Sequence, residues 1–301
     1  MIEIPFNEVE TYSLPDEITG RNGCRYRILE NLGRGGNGAV FECEEVTTGE
    51  TFALKLLLKL NYFRSVRFKR EVQIIEELTH EHVITYITNG VVLGTRNQLW
   101  KSKKVVIPFV VMRKADSSLQ KLLEASNSPL GFEEYYGQFV GLSKALEQLH
   151  SVAIHRDIKP DNILVSGTIW QISDFGLCAL VEEQEEQLTR ADEAVGPRYW
   201  MSPEAISKAM GLGDEISYCS DLFQLASVFW FVVTRRPPIG VVTMEDWTGP
   251  YDLGQLLLDT LQHDPSRRPK STVEFIEKLE AVKFVHPQPD IPVTQIPEAS
   301  V

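Results

Sequence analysis

The chain has 301 residues, 43% hydrophobic and 24% charged, a globular mix long enough for one large domain or two lobes with separate cores. Its 42 acidic and 30 basic side chains leave a formal net charge of −12. Such a surface repels phosphate backbones and disfavours a general nucleic-acid binder. Cys24, Cys43, Cys178 and Cys219 form no C-x-x-C pair, which argues against a disulfide framework or a cysteine zinc site and for ordinary thiols in a reducing compartment.

Residues 1–25 hold Pro5, Pro15, Asp16, Gly20 and Gly23 without a sustained period. They read as an N-terminal extension with little regular structure, and lack the basic and apolar regions of a signal peptide. Arg25–Leu32, Ala39–Val46 and Thr51–Leu58 are short apolar and β-branched runs separated by Gly-rich or Thr-Thr-Gly turns, which predicts a small antiparallel meander. Val72, Ile75 and Leu78 predict a helix over about Ser65–Leu78. Thr85–Leu93 and Lys104–Met112 read as two more strands, with Gly94–Ser102 between them polar and loop-like.

After Lys114 the balance turns helical. Ser117–Ala125, Phe132–Ser151, Tyr218–Thr234, Asp252–Gln262 and Ser271–Val282 are predicted helices, with short strands around Ile163–Val165 and Ile169–Ile172. The longest apolar run, Leu222 to Val233, is shorter than the ~20 residues that span a bilayer. Pro287, Pro289, Pro292 and Pro297 make the tail, 284–301, extended or disordered. The reading is an α+β chain: a β-rich small lobe over 26–112, a connection at 113–116 and a helix-rich lobe over 117–283.

Gly33-Arg34-Gly35-Gly36-Asn37-Gly38-Ala39-Val40 fits G-x-G-x-x-G-x-V between two predicted strands. Glycines let backbone N–H groups approach phosphate oxygens, although such a loop is also often only a turn. A dinucleotide fingerprint would lead into a helix, and here a strand follows. Lys55 lies in the third strand, on the face of Ala53 and Leu57. Such a lysine either snorkels at an edge or faces phosphates, tethered by a carboxylate that Glu71 can supply. His155-Arg156-Asp157-Ile158-Lys159-Pro160-Asp161-Asn162 follows a helix, and Asp174-Phe175-Gly176 follows a short strand.

This ordered set resembles the eukaryotic-type (Hanks-type) protein kinase family over about Tyr26 to Val282. The resemblance implies a bilobal protein-kinase-like fold, with a small antiparallel β-sheet N-lobe carrying one helix and a larger, mostly helical C-lobe. It implies a glycine loop of Gly33, Gly35, Gly36 and Gly38 over the ATP phosphates, Lys55 on the α- and β-phosphates, and Glu71 holding Lys55. Asp174 and Asn162 would hold Mg²⁺, Asp157 would orient the acceptor hydroxyl and take its proton, and Lys159 would stabilise the γ-phosphate. Val40, Ala53 and Leu164 align with residues that enclose adenine, Met112 with the gatekeeper, and Arg113 to Ala115 with the hinge. Ile75, His155 and Phe175 fit the spine that couples the lobes. Ser202-Pro203-Glu204 matches A-P-E, Glu204 is expected to pair with Arg268, and Asp221 to brace the catalytic loop. Lys159 resembles the serine/threonine branch, so the implied partners are proteins with Ser/Thr acceptors.

Several positions depart from the family. Pro197 stands where a threonine hydroxyl would bridge the catalytic Asp and Lys, so either activity is lowered or another group serves. Phe223 and Ala226 replace the usual Trp and Gly near Asp221. Arg156 resembles the arginine that binds an activation-loop phosphate, and Thr189, the only hydroxyl side chain between Gly176 and Val195, is the candidate phosphosite. Glu182, Glu183, Glu185, Glu186, Asp192 and Glu193 supply negative charge there in any case. The expectation is an active cytoplasmic protein Ser/Thr kinase using ATP and Mg²⁺, with no nucleic-acid or membrane partner. The alternative is a pseudokinase serving as a nucleotide-binding scaffold.

Overall fold

Short runs of alternating apolar and polar residues bury one face of a strand and wet the other. In the computed structural model, which describes residues 1–35, 38–126, 128–180 and 198–282, these runs build a single eight-stranded antiparallel sheet. Its strands are β1 (Ile2–Asn7), β2 (Glu10–Leu14), β3 (Glu17–Thr19), β4 (Arg25–Gly35), β5 (Gly38–Glu45), β6 (Thr51–Leu57), β7 (Tyr86–Gln98) and β8 (Lys101–Arg113), in the order β1-β2-β7-β8-β6-β5-β4-β3. Ile4 of β1 and Ile18 of β3, at opposite edges, share one buried cluster with Tyr12, Phe41, Leu54 and Phe109, so the sheet curls over this face. Helix α1 (Tyr62–Glu77), capped by Asn61, contributes Phe68 and Val72 to a second cluster with Leu57 and Val110.

Two expectations are corrected here. Residues 1–25 are not an irregular extension, because three of the eight strands come from them. The alternation Ile2-Glu3-Ile4-Pro5-Phe6 was present but short and interrupted by Pro5. That proline is tolerated because β1 is an edge strand, where a missing N–H breaks no ladder. Nor is Gly94–Ser102 a loop: β7 and β8 pair from Val111 through Lys101 and turn only at Leu99–Trp100. At Gly94 a Cβ would lie 2.4 Å from the Leu14 side chain, so glycine lets β2 pack closely against the hairpin.

Past residues 113–116 the chain becomes helical. β9 (Ser117–Ser118), α2 (Leu119–Ala125) and α3 (Phe132–His150) are followed by β10 (Ala153–Ile154), β11 (Ile163–Ser166), β12 (Ile169–Ile172) and β13 (Ala179–Leu180). Then come α4 (Pro203–Ala209), α5 (Tyr218–Thr234), α6 (Tyr251–Thr260) and α7 (Thr272–Glu280). Helix α4 was not anticipated; Ser202 caps it and Pro203 opens it. Phe139 of α3 stacks on Phe229 of α5 with ring centroids 3.7 Å apart. Between α5 and α6, Ile239–Gly249 holds only a short 3₁₀ turn at Met244–Asp246.

The fold is therefore α+β and bilobal. The link between α1 and β7 ties the lobes: Ile172 N donates to His82 O at 2.8 Å and Ile84 N to Ile172 O at 3.0 Å. Among the described residues no helix is long and apolar enough to cross a membrane. The tail 284–301 lies outside the described residues.

Candidate active site

Lys55 sits mid-strand in β6 and Glu71 mid-helix in α1, and the packing of α1 on the sheet turns one toward the other. Glu71 is buried and accepts a hydrogen bond from Lys55 Nζ, which also donates to Asp174 Oδ1 at 2.9 Å. Burial pulls the Lys55 pKa down, but the Asp174 and Glu71 carboxylates overcome this and hold it above its ordinary value. Lys55 in turn lowers Asp174 to about 2, so that carboxylate stays ionised. Burial raises Glu71 despite Lys55. Asp174 has φ 61° and ψ 72°, a left-handed conformation costly for a residue with a Cβ and typical of functional sites.

The second group is local. Lys159 Nζ donates to both Asp157 carboxylate oxygens, at 3.0 and 2.8 Å, and Asn162 Nδ2 donates to Asp157 Oδ2 and to its backbone oxygen, each at 2.8 Å. Burial raises the Asp157 pKa, and Lys159 opposes it. Below the loop, Asp221 of α5 accepts from His155 N at 2.7 Å and Arg156 N at 2.8 Å, which holds Arg156 at φ 71° just before Asp157. Gln224, one turn on, accepts from Ile158 N at 3.0 Å. Ser173 N donates to Asn162 O at 2.9 Å and joins this loop to the strand leading to Asp174. Phe175 is buried in one core with Ile75, its ring centroid 5.4 Å from that of His155.

The groups meet at one cavity of about 390 Å³, lined by Gly35, Gly38, Val40, Lys55, Glu71, Asp157 and Asp174. At Gly38 a Cβ would lie 1.9 Å from Leu56 O, so only glycine allows the loop strand so close to β6. Gly33 pairs with Val40 at the base of the loop. Ala53, Met112, Arg113, Ala115 and Leu164 are not on this wall. Ala53 pairs with Met112 across β6 and β8, and Met112 and Leu164 pack against the C-lobe core. Arg113 pairs its guanidinium with Glu50 and sets it over the Phe52 ring, which leaves only its backbone for a hinge. Gly36, Thr189 and Pro197 lie outside the described residues.

The scaffold positions meet as expected. Arg268 donates to Glu204 through two bonds of 2.8 and 2.9 Å, and its guanidinium lies over the Phe223 ring, 4.9 Å from its centre. Sequence reasoning missed His150, whose Nε2 lies 3.0 Å from Asp221 Oδ2 while Nδ1 lies 2.7 Å from Thr272 Oγ1. It also missed the role of Gln224, although a lone glutamine in a buried apolar run signals a required partner. Lys59, Arg64 and Arg67 on the cavity wall were not singled out either.

A sequence profile described as the protein kinase domain matches residues 26–283. The serine/threonine-protein kinase PknD of Mycobacterium tuberculosis is 30% identical over 225 residues, covering 73% of this chain and 31% of the relative. The serine/threonine-protein kinase PknH of Mycobacterium bovis is 31% identical over 219 residues, 71% of this chain and 33% of the relative. The probable serine/threonine-protein kinase PknB of Bifidobacterium longum is 25% identical over 231 residues, 75% and 32% respectively. This chain thus matches about a third of the length of these relatives. With the profile spanning most of the chain, the protein belongs to the protein kinase domain family, on the serine/threonine side of it.

Proposed function

We propose that the chain is an ATP- and Mg²⁺-dependent protein kinase that phosphorylates Ser and Thr hydroxyls of protein substrates. One observation carries the reading: Lys55, Glu71, Asp157 and Asp174 line the same cleft, with Lys55 held between the two carboxylates Glu71 and Asp174, and Asp157 held by Lys159 and Asn162. The donor set suits the metal, because the Asp174 carboxylate and the Asn162 amide oxygen are hard ligands and Mg²⁺ is commonly held by one or two protein oxygens plus substrate phosphates. When bound, the nucleotide would supply the γ-phosphoryl group and Mg²⁺ held by Asp174 and Asn162 would neutralise charge on it. Asp157 Oδ holds the acceptor hydroxyl and takes its proton as the new O–P bond forms and the bond from the γ-phosphorus to the β,γ-bridging oxygen breaks, with ADP leaving. Lys159 Nζ stabilises charge on the transferred group, and Lys55 orients the remaining phosphates. Val40, Ala53 and Leu164 would enclose the base, with the backbone of Arg113 to Ala115 on its edge beside Met112.

The test is phosphate transfer from labelled ATP with Mg²⁺ to a generic basic protein and to the chain itself, wild type beside Asp157→Ala. Transfer by the wild type alone supports the proposal, with acid-stable phosphoserine or phosphothreonine as product. Nucleotide binding without transfer would favour the scaffold reading instead. Phosphopeptide mapping of the same reaction tests Thr189.

A further inference from the structure

The β7–β8 hairpin ends in Leu99 and Trp100, 71% and 97% exposed. Nearly full exposure is rare for tryptophan, which ordinarily hides its ring. The other four tryptophans, at 170, 200, 230 and 247, are buried. Immediately behind the apex, Lys101, Lys103 and Lys104 are exposed in a chain whose net charge is −12. The pairing of Glu10 with Gln98 brings the β1–β2 turn beside this apex, and that turn carries exposed Val9. Glu8 is the carboxylate of the same turn, while Glu10 and Arg96 neutralise each other in a two-bond pair. Behind the tip, Leu93 lies opposite Val106 on the outer sheet face and both are exposed.

We propose that these two adjacent hairpin ends form a membrane-contact site, with Leu99, Trp100 and Val9 dipping into the headgroup region of an anionic bilayer and the three lysines on its phosphate and carboxylate groups. The order of chemistry along the hairpin, apolar and aromatic at the apex and cationic just behind, matches the order met on leaving the acyl boundary for the headgroup layer. The apices are convex turns, so they suit a deformable surface; a protein partner would need a matching pocket. The acidic total repels an anionic surface, but screening confines this to about 10 Å at 0.1 M salt, which favours approach by the protruding cationic end. The sequence reading left out a membrane partner because no segment is long enough to span one. A tip lying in the interface needs no span.

Trp100 is its own probe, since the buried tryptophans cannot meet lipid. The 301-residue chain is mixed with phosphatidylcholine vesicles, with and without phosphatidylserine, some carrying brominated acyl chains. The expected result is quenching and a blue shift with anionic vesicles only, reversed by raising salt. Leu99→Ser/Trp100→Ser should lower co-sedimentation at least tenfold, and Lys101, Lys103 and Lys104→Gln about fivefold for each lysine removed. Kinase activity without vesicles should be unchanged in both variants. Absence of quenching, equal sedimentation of the folded double variant, or Trp100 becoming protected by self-association in lipid-free solution would each overturn the proposal.

Discussion

The two halves of the candidate active site are built by opposite routes. Asp157 is held by Lys159 and Asn162, two and five residues away, on a loop that Asp221 and Gln224 fasten to the buried helix α5. Lys55 is held by Glu71 and Asp174, 16 and 119 residues away, on a helix and on the other lobe. The C-lobe half follows from the folding of one lobe. The N-lobe half exists only while sheet, α1 and C-lobe keep their relative placement, so it is the half that motion can dismantle.

The largest effect should fall on the local half. Asp157→Asn removes the proton acceptor and keeps the size of the side chain, although its amide nitrogen cannot accept from Lys159 or Asn162 as a carboxylate oxygen does, and kcat should fall about 10²–10⁴-fold with the fold retained. Glu204→Ala probes the same lobe's scaffold: it strands Arg268, fully buried, and should cost ~3–5 kcal/mol in denaturant melts. Equal stability of that variant would mean that the C-lobe half is not anchored through this pair. Lys55→Met attacks the convergent half, and a loss of about 10²–10³-fold in kcat is expected, with a smaller change in melting behaviour than Glu204→Ala gives.

pH separates the halves further. Asp157 must be ionised to accept a proton, and burial raises its pKa, so the acid limb of the rate should lie above the ordinary aspartate value of 3.8. Lys159 opposes that rise, so Lys159→Met should move the limb to still higher pH. Asp174 behaves oppositely. Its carboxyl is lowered to about 2, so the stability it contributes is present above its unfolded value and is lost as pH falls from near 3.8 toward 2. An acid limb that does not move in Lys159→Met would break the assignment of Asp157 as the acceptor.

Much of the catalytic layer was legible because the chemistry demands particular residue types in a particular order, and that order survives without any three-dimensional information. Lys55, Glu71, Asp157 and Asp174 line the cleft, and Lys159 and Asn162 bond to Asp157 at its edge. Bracing interactions were less legible. His150 and Asp221 are 71 residues apart, and nothing in either neighbourhood indicates that they touch. The N-terminal strands were missed for a different reason. Three strands of 6, 5 and 3 residues give too few repeats to establish a period of two, and the pairing of β2 with the far end of β7 is non-local.

The smallest predicted effect tests whether those strands belong to the cooperative unit. Tyr12 is buried, and its hydroxyl donates to Leu58 O at 2.6 Å and lies 2.8 Å from Glu10 Oε1. Leu58 directly follows β6, the strand that carries Lys55, and precedes the cap of α1, the helix that carries Glu71. Residues outside the matched kinase domain therefore fasten the connection between the two elements of the N-lobe half. Tyr12→Phe keeps the ring in the core and removes only the hydroxyl, while Leu58 O retains its bond from Leu60 N. A loss of about 1 kcal/mol is expected, with one cooperative transition by both fluorescence and circular dichroism. If the strands were a loosely docked arm, the variant would melt like the wild type, or the two probes would separate into an early local transition and a later global one.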